Sequence, residues 1–293
     1  MSSLKNAPDI MGEALGRLPV RPRPGPGKVV EMPAEANARA RRLLEKVRTM
    51  RLKGMAEALE EQLEGSHGVP ASVVGQLERL VAREEAARAQ RRARRRLKKA
   101  GLAEEKATVR DIDYSHSRNL DPGQVSRLAR SEWVGQGQNL IITGPIGAGK
   151  TYLASAFTRA ACEQGYGARY FRLSDFLEEL ARARAQGEMS RLVAELNKTD
   201  LLTLDDWGLE RLDPQQGLDL LRVAEERYGK KAILVASLLP VADWGQVMEY
   251  SSVGAAVIDR LQAHALRINL RGDSLRREFS PLKGPDQREP VPG

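Results

Sequence analysis

The chain has 293 residues and a formal net charge of +8, with 29% charged and only 4% aromatic residues. This length accommodates one large or two modest domains with cores of their own, and the composition is typical of a helix-rich protein. The single Cys162 excludes an intramolecular disulfide, no apolar run is long enough to span a bilayer, and the N-terminus has no signal-type hydrophobic region. We therefore expect a cytoplasmic protein without membrane segments.

The positive charge is distributed unevenly along the chain. Residues 1–115 contain 24 Lys and Arg against 16 Asp and Glu, whereas residues 116–293 contain 23 of each. Such an asymmetry is typical of a basic arm or small domain that meets a polyanion and is attached to an electrically neutral core.

The first part of the chain is predicted to form a flexible leader followed by helices. Residues 1–34 are rich in Pro and Gly, which prevents regular structure. From residue 35 onward, apolar residues recur at three- and four-residue steps, the pattern of amphipathic helices in a small domain that we expect to span 35–110. A helix that begins after a turn at 65–70 is expected to direct inward the side chains of Val73, Val74, Leu77, Leu80 and Val81.

The most basic stretch of the chain continues this helix from Arg88 to Lys99. So many like charges without interleaved acids repel one another unless an anion lies against them, which favours nucleic acid over the alternative of a solvated helix surface. Contact with phosphates is the expected mode, because nothing here resembles a base-reading motif. The predicted DNA contacts are Arg88, Arg91, Arg92, Arg94, Arg95, Arg96, Lys98 and Lys99.

The segment before the central motif admits two interpretations. Residues 109–114 are predicted to be extended, and their position would suit contact with an adenine ring. Alternatively, Ile112 and Tyr114 cover the edge of the core.

The stretch from Gln138 to Thr151 predicts a nucleotide site. An apolar run typical of a buried strand breaks into a loop of the form G-x-x-x-x-G-K-T, and a helix follows. The glycines let backbone amides surround phosphate oxygens, Lys150 would reach the β- and γ-phosphates of ATP, and the Thr151 hydroxyl would be a ligand of Mg²⁺. The predicted ATP-binding residues are Gly144, Pro145, Ile146, Gly147, Ala148, Gly149, Lys150, Thr151 and Tyr152.

Strands and helices alternate after this loop. Strands are predicted at 169–173, 201–206, 231–237 and 266–270, and their alternation with helices predicts a parallel sheet with helices on both faces, an α/β fold. We expect this core to span 111–282 and residues 283–293, where Pro and Gly return, to form a disordered tail.

Two adjacent acids end the third predicted strand. Asp205 stands where a carboxylate holds Mg²⁺, and Asp206 beside it could orient the attacking water as general base. The alternative is that both acids cap the next turn. Ser237, at the end of the fourth strand, could place its hydroxyl near the γ-phosphate.

From about Ala40 to Glu278 the chain resembles the IstB-like ATPases, helper proteins of transposition in the AAA+ class that are close to the bacterial helicase loaders. The phosphate loop alone indicates only an NTPase, and the other motifs are more specific. The resemblance is carried by Gly144-Pro145-Ile146-Gly147-Ala148-Gly149-Lys150-Thr151, Tyr170-Phe171-Arg172-Leu173-Ser174, Leu204-Asp205-Asp206-Trp207-Gly208-Leu209, Leu239-Pro240-Val241-Ala242-Asp243-Trp244, Asp259-Arg260-Leu261 and Arg271-Gly272-Asp273-Ser274-Leu275-Arg276-Arg277.

The resemblance implies an αβα AAA+ core with strand order 5-1-4-3-2, a small N-terminal helical domain and little or no C-terminal lid. It also implies ATP-driven assembly of a homo-oligomer on double-stranded DNA and delivery of that DNA to a transposase. By position, Asp205 matches the Walker B acid and Asp206 the catalytic acid. Arg260 matches the arginine finger that acts on a neighbouring subunit's ATP, and Arg276 matches the sensor II arginine.

One departure from the family pattern bears on the rate of hydrolysis. The family commonly has Thr-Ser-Gln where this chain has Ala236-Ser237-Leu238. If the sensor I function belongs to the Gln, it is lost here and hydrolysis is slow; if it belongs to Ser237, it survives. Two other functions stay open: a helicase loader in replication, and a scaffold that coats DNA and binds ATP with negligible hydrolysis.

Overall fold

The computed structural model describes residues 34–64, 72–116, 118–272 and 274–275. The chain divides into two compact units, one that ends at Glu84 and one that begins at Glu85. Nearly all of the predicted leader, the predicted tail, the extent of a C-terminal lid and Arg276 lie outside the described residues. Within these residues, no helix is both long and apolar enough to cross a membrane.

The first unit is helical, as predicted. It contains α1 (Ala34–Thr49), α2 (Lys53–Leu63) and the first part of α3 (Val73–Ala100). A close approach at Gly54 joins α2 to α3, since a Cβ at this position would overlap the Arg83 carbonyl. The buried Glu84 carboxylate accepts the Gly54 N–H at 2.8 Å and so satisfies one of the free amides in the first turn of α2.

The apolar face at the start of α3 lies outward, so the prediction that it faces a core was wrong. Val73, Val74 and Leu77 are 73%, 64% and 56% exposed. Helical periodicity identifies an apolar face but not what covers it. Among the described residues of this unit, the buried apolar side chains are only Leu44, Ala56 and Ala58.

The second unit is built on a parallel sheet, which confirms the α/β prediction. Within the described residues the sheet has five strands in the order β2-β3-β4-β1-β5, which is the expected order 5-1-4-3-2, and every pair is parallel. The carboxyl ends of all strands therefore meet at one edge. The strands are β1 (Leu140–Thr143), β2 (Ala168–Arg172), β3 (Leu201–Trp207), β4 (Ala232–Ser237) and β5 (Leu266–Asn269).

Helices cover both faces of the sheet because strand side chains alternate in direction. Leu140 and Ile142 of β1 belong to one buried cluster, whereas Ile141 between them belongs to another. The two clusters form the layers of the predicted αβα sandwich. The helices of this unit, besides the end of α3, are α4 (Pro122–Ala129), α5 (Glu132–Gly135), α6 (Lys150–Gln164), α7 (Leu173–Ala185), α8 (Met189–Asn197), α9 (Pro214–Arg227), α10 (Trp244–Val247) and α11 (Ser252–Gln262).

A fully buried arginine joins several chain segments at the amino end of the sheet. The guanidinium of Arg227 donates to the carbonyls of Leu196 (2.9 Å), Thr199 (3.3 Å), Asp200 (3.2 Å) and Ala232 (2.8 Å). Burial lowers the pKa of Arg227 to about 10, which leaves it charged at neutral pH. Arg227 thus links the end of α8 to the starts of β3 and β4 through one side chain.

We expect Arg227→Met to lower the free energy of unfolding by about 3 kcal/mol, because the buried carbonyls lose their donors. The matched control is Arg222→Met on the same helix, an exposed arginine that donates to Ser190 Oγ at 2.8 Å and whose loss is expected to cost below ~1 kcal/mol. Urea unfolding followed by tryptophan fluorescence measures both, since all three tryptophans are buried in this unit. Equal destabilisation by the two substitutions would contradict the prediction.

Candidate nucleotide-binding site

The loop between β1 and α6 has the backbone geometry of a phosphate loop. Gly147 and Gly149 adopt φ values of +78° and +94°, a region that favours glycine. A side chain at Gly147 would also overlap Ser274. Gly149 directly precedes α6, so the first amides of this helix, which have no intrahelical partners, are available to an anion at its N-terminus.

A cavity of about 340 Å³ opens at this loop. A concave site of this size is typical of small-molecule binding. Two further elements contribute to its wall, Asp206 from β3 and Leu238 from the end of β4. Of the predicted nucleotide-binding residues, the wall includes Ile146, Gly147, Gly149, Lys150, Thr151 and Tyr152.

The remaining predicted loop residues hold the loop in place. Gly144 N–H donates to the Ser237 carbonyl at 3.3 Å, which ties the start of the loop to β4. The Pro145 carbonyl accepts from Lys150 Nζ at 2.8 Å, so this ammonium lies over its own loop. Ala148 is fully buried.

Arg118 is a cation behind the phosphate loop that the sequence analysis missed. Its side chain is buried and donates to the carbonyls of Ala148 (3.4 Å) and Asp113. Its own carbonyl accepts from Arg271 N–H at 3.0 Å. A buried guanidinium so close to the loop makes the electrostatic potential at the loop more positive. Arg118 follows no periodic pattern in an irregular segment, so the sequence offers no signal for it.

The segment before the loop rests against α6. The Tyr152 hydroxyl accepts from Thr108 N–H at 3.3 Å and donates to the Thr108 carbonyl at 3.2 Å. Ile112 is buried in the core cluster, whereas Tyr114 is 38% exposed. Covering the core edge is thus the role that the contacts give to Ile112, and adenine contact by this segment stays a prediction. The segment forms turns and irregular backbone rather than a strand.

Asp205 is a buried carboxylate at the end of β3. Its Oδ1 accepts from Asp206 N–H at 2.9 Å and its Oδ2 accepts from the Tyr170 hydroxyl at 2.7 Å. Burial first, and then the neighbouring carboxylate, raise the pKa of Tyr170, so its hydroxyl remains a donor. Within the described part of the chain, Asp205 forms no ion pair, and a buried charge without an opposite charge is costly.

The residues at this edge of the sheet fit a magnesium ion. Thr151 and Asp205 both offer oxygen atoms, the ligands that Mg²⁺ prefers, and Mg²⁺ usually keeps several waters when few protein ligands are present. A cation would also neutralise the buried Asp205 carboxylate. Thr151 and Asp205 are therefore the residues that would hold the ion.

Asp206 occupies an unusual backbone conformation. Its φ is +60°, and the pairing of β3 with β4 shifts register between Leu204 and Trp207. Asp is one of the few residues with a side chain that tolerate this region. The bulge directs Asp206 to the cavity, and its Oδ2 lies 3.8 Å from Arg172 Nε.

The end of β4 places Leu238, not the hydroxyl of Ser237, in the cavity wall. Ser237 is fully buried, and its Oγ donates to the Leu239 carbonyl at 2.8 Å and accepts from Trp244 Nε1 at 3.0 Å. These contacts stabilise the turn after β4. A catalytic role for Ser237 stays a prediction.

Arg260 lies near the end of α11, where Asn139 fixes the helix. Asn139 Nδ2 donates to the Arg260 carbonyl at 3.1 Å. The Arg260 guanidinium lies 2.6 Å from Asp259 and 3.7 Å from Glu225, and it stacks over the Tyr228 ring at 5.4 Å. These are contacts within one chain, so action on a neighbour's nucleotide stays a prediction.

The predicted DNA-binding residues lie in one continuous helix. The helix was expected to continue through the basic stretch, and α3 does so to Ala100. Arg91 and Arg96 are half-buried, and the other six basic side chains are exposed. Contact with DNA stays a prediction.

Comparison with known proteins gives a consistent family match. Residues 45–281 match the profile of the family described as IstB-like ATP binding protein. An insertion sequence ATP-binding protein of Sinorhizobium fredii is 38% identical over 80% of this chain and 95% of its own length. Another, of Pseudomonas fluorescens, is 41% identical over 67% of this chain and 85% of its own. The crystal structure of the DnaC helicase loader is 22% identical, with a TM-score of 0.46 over 56% of this chain and 96% of that one.

We expect Lys150→Ala to lower the affinity for ATP by about 100-fold, because the loop loses its charged donor to phosphate. Equilibrium titration with a fluorescent ATP analogue measures the change. Lys230→Ala, which removes an exposed lysine at the end of the α9–β4 turn, is the matched control and should bind normally. Undiminished affinity in Lys150→Ala would show that the loop is not the site.

Proposed function

The chain belongs to the IstB-like ATP-binding protein family, and we propose that it is a slow, Mg²⁺-dependent ATPase that assembles on double-stranded DNA and delivers this DNA to a transposase. The observation that carries the proposal is the convergence of the phosphate loop and Asp206 on one cavity, with Asp205 beside it. The relatives are named as ATP-binding proteins of insertion sequences, which supports the link to transposition. Such an enzyme would act in the cytoplasm.

In this proposal the described residues divide the chemistry of hydrolysis between them. The loop amides and Lys150 bind the phosphates. Thr151 and Asp205 would hold Mg²⁺, which would supply positive charge beside the phosphate oxygens. Asp206 reaches the cavity with a partly exposed carboxylate and orients the attacking water as general base.

Two features support a slow rate. The apolar Leu238 lines the cavity at the sensor I position, where a polar side chain would contact the γ-phosphate. Asp206 also lies 3.8 Å from Arg172, and this ion pair must loosen before the carboxylate can accept a proton. Binding of DNA or of a partner would then stimulate hydrolysis by releasing Asp206 from Arg172.

The basic part of α3 is the proposed DNA contact. Six of its eight basic side chains are exposed along roughly three turns of helix, which suits a row of phosphates. Contacts of this kind bind without sequence preference, as a protein that delivers many target sequences requires.

A homo-oligomer is the proposed active state. The exposed stripe of Val73, Val74, Leu77 and Val81 in α3 fits pairing with a second copy of this chain. Antiparallel pairing of the two stripes would keep the two basic stretches apart, whereas parallel pairing would place them side by side at an electrostatic cost. Arg260 is proposed to act on a neighbour's ATP after release from Asp259 and Glu225.

Leu238 favours a second function, a scaffold that binds ATP and coats DNA with negligible hydrolysis. Both functions require ATP-dependent binding to duplex DNA. They differ in phosphate release, which only the ATPase shows above the rate of a catalytically inactive variant.

We expect Asp206→Asn to retain ATP-dependent DNA binding and to reduce phosphate release about 100-fold or more, because it removes a base but not a metal ligand. Fluorescence anisotropy of labelled duplex and a phosphate-release assay measure the two properties. Asp175→Asn, at an exposed position in the first turn of α7, should hydrolyse normally. Equal rates in wild type and Asp206→Asn would establish the scaffold instead.

The same samples test assembly. In sedimentation with ATP and duplex DNA, wild type and Asp206→Asn should form complexes of the same size. Leu77→Asp, which places a charge in the exposed stripe, should yield smaller ones. Identical complexes with Leu77→Asp would exclude the stripe as the interface.

Replacing Arg91, Arg92, Arg95 and Lys99 by Ala should weaken duplex binding equally across sequences. It should also reduce the slope of log affinity against log salt by about 0.9 for each phosphate that the protein no longer neutralises. A control with the same change in net charge replaces four exposed basic residues elsewhere: Arg191, Lys198, Arg222 and Lys230. If both variants bind with the wild-type slope, this part of α3 is only a solvated helix surface.

A further inference from the structure

Tyr170 and Asp205 face each other across two neighbouring strands. In the register of β2 and β3, Tyr170 pairs with Thr203, and Asp205 lies two residues further along the same face. The tyrosine hydroxyl donates to Asp205 Oδ2 at 2.7 Å, and both side chains are buried. Water therefore has little access to this hydrogen bond, so the carboxylate cannot readily exchange it for a solvent contact.

Both oxygens of the Asp205 carboxylate are fixed by this arrangement. Oδ1 accepts from the backbone N–H of Asp206 while Oδ2 accepts from Tyr170, so rotation about the last side-chain bond would break both bonds. Each carboxylate oxygen has two lone pairs, so one acceptor position on each remains for a cation or for water bound to it. The two donors orient the carboxylate without blocking it.

We propose that Tyr170 is a positioning residue, whose hydroxyl holds the Asp205 carboxylate in the orientation that binds the magnesium ion of ATP. This inference rests on the proposed function, since it assigns a role toward the metal of that site. The ring of Tyr170 also packs in the core cluster, but a phenylalanine would fill that space equally well. Packing therefore does not explain the hydroxyl, and the group that accepts its hydrogen bond is the buried Asp205 carboxylate.

The test is Tyr170→Phe, which removes the hydroxyl and keeps the ring. Mn²⁺ in place of Mg²⁺, titrated into protein saturated with a non-hydrolysable ATP analogue, reports metal binding by electron paramagnetic resonance without any turnover. We expect the apparent dissociation constant of Mn²⁺ to rise tenfold to a hundredfold, about the range for loss of a partner that orients a metal ligand. Affinity for the analogue in EDTA should stay within about twofold, because the phosphate loop is intact.

Two further variants make the result specific. Tyr166→Phe removes a hydroxyl from another tyrosine that packs against the same cluster, and it should bind Mn²⁺ as wild type does. Asp205→Asn should weaken Mn²⁺ binding by itself, and adding Tyr170→Phe to it should weaken binding no further, because the tyrosine acts through the carboxylate.

The possible outcomes distinguish failure of the positioning role of Tyr170 from failure of the proposed metal site. If Asp205→Asn weakens Mn²⁺ binding and Tyr170→Phe does not, the positioning role is overturned while the proposed metal site stands. If Tyr170→Phe lowers analogue affinity in EDTA as much as it lowers Mn²⁺ affinity, Tyr170 is only a core residue and the inference also fails. If Asp205→Asn leaves Mn²⁺ binding unchanged, the metal site itself is wrong, and the inference fails with it.

Discussion

The buried carboxylate of Asp205 at the end of β3 needs hydrogen-bond donors and an opposite charge, and the residues of the nucleotide site are arranged to provide them. Asp205 is nearly inaccessible to water, so its charge depends on donors supplied by the protein and on a cation. The Asp206 amide and the Tyr170 hydroxyl supply the donors. The parallel order of the sheet places the phosphate loop at the same edge, where a magnesium ion bound to a nucleotide would supply the opposite charge.

Two buried arginines, Arg227 and Arg118, both donate hydrogen bonds to backbone carbonyls, but they do so in different parts of the fold. Arg227 donates to carbonyls at the amino end of the sheet, where it joins structural segments far from the chemistry. Arg118 also donates to carbonyls, but one of them belongs to Ala148 of the phosphate loop. Because Arg118 contacts the phosphate loop, its positive charge raises the electrostatic potential at the place where phosphates would bind. The same hydrogen-bonding solution therefore stabilises the fold in one place and prepares an anion site in the other.

The long helix α3 presents two different surfaces along one continuous element. Its first turns expose Val73, Val74 and Leu77, and its last turns expose a basic face. Apolar area on this scale is costly in water unless a partner covers it, while a row of basic side chains favours a polyanion. An oligomer that pairs through the apolar turns would carry one basic face on each subunit. Such an arrangement would make DNA binding depend on assembly, and it links the two proposals through a single helix.

The sequence by itself determined the parallel α/β core and the phosphate loop, because strand and helix periodicities and the Gly149-Lys150-Thr151 motif are local properties of the chain. Two expectations were wrong: the start of α3, since periodicity cannot tell a core from an exposed face, and residues 109–114, which form turns and irregular backbone instead of an extended segment. Only the tertiary structure brought Tyr170 to Asp205 and Arg118 to Ala148, pairs separated by 35 and 30 residues. The bulge that turns Asp206 toward the cavity and the exclusion of Ser237 from it were likewise decided there. Contacts of this kind depend on strand register and loop packing, which no local pattern of residues records.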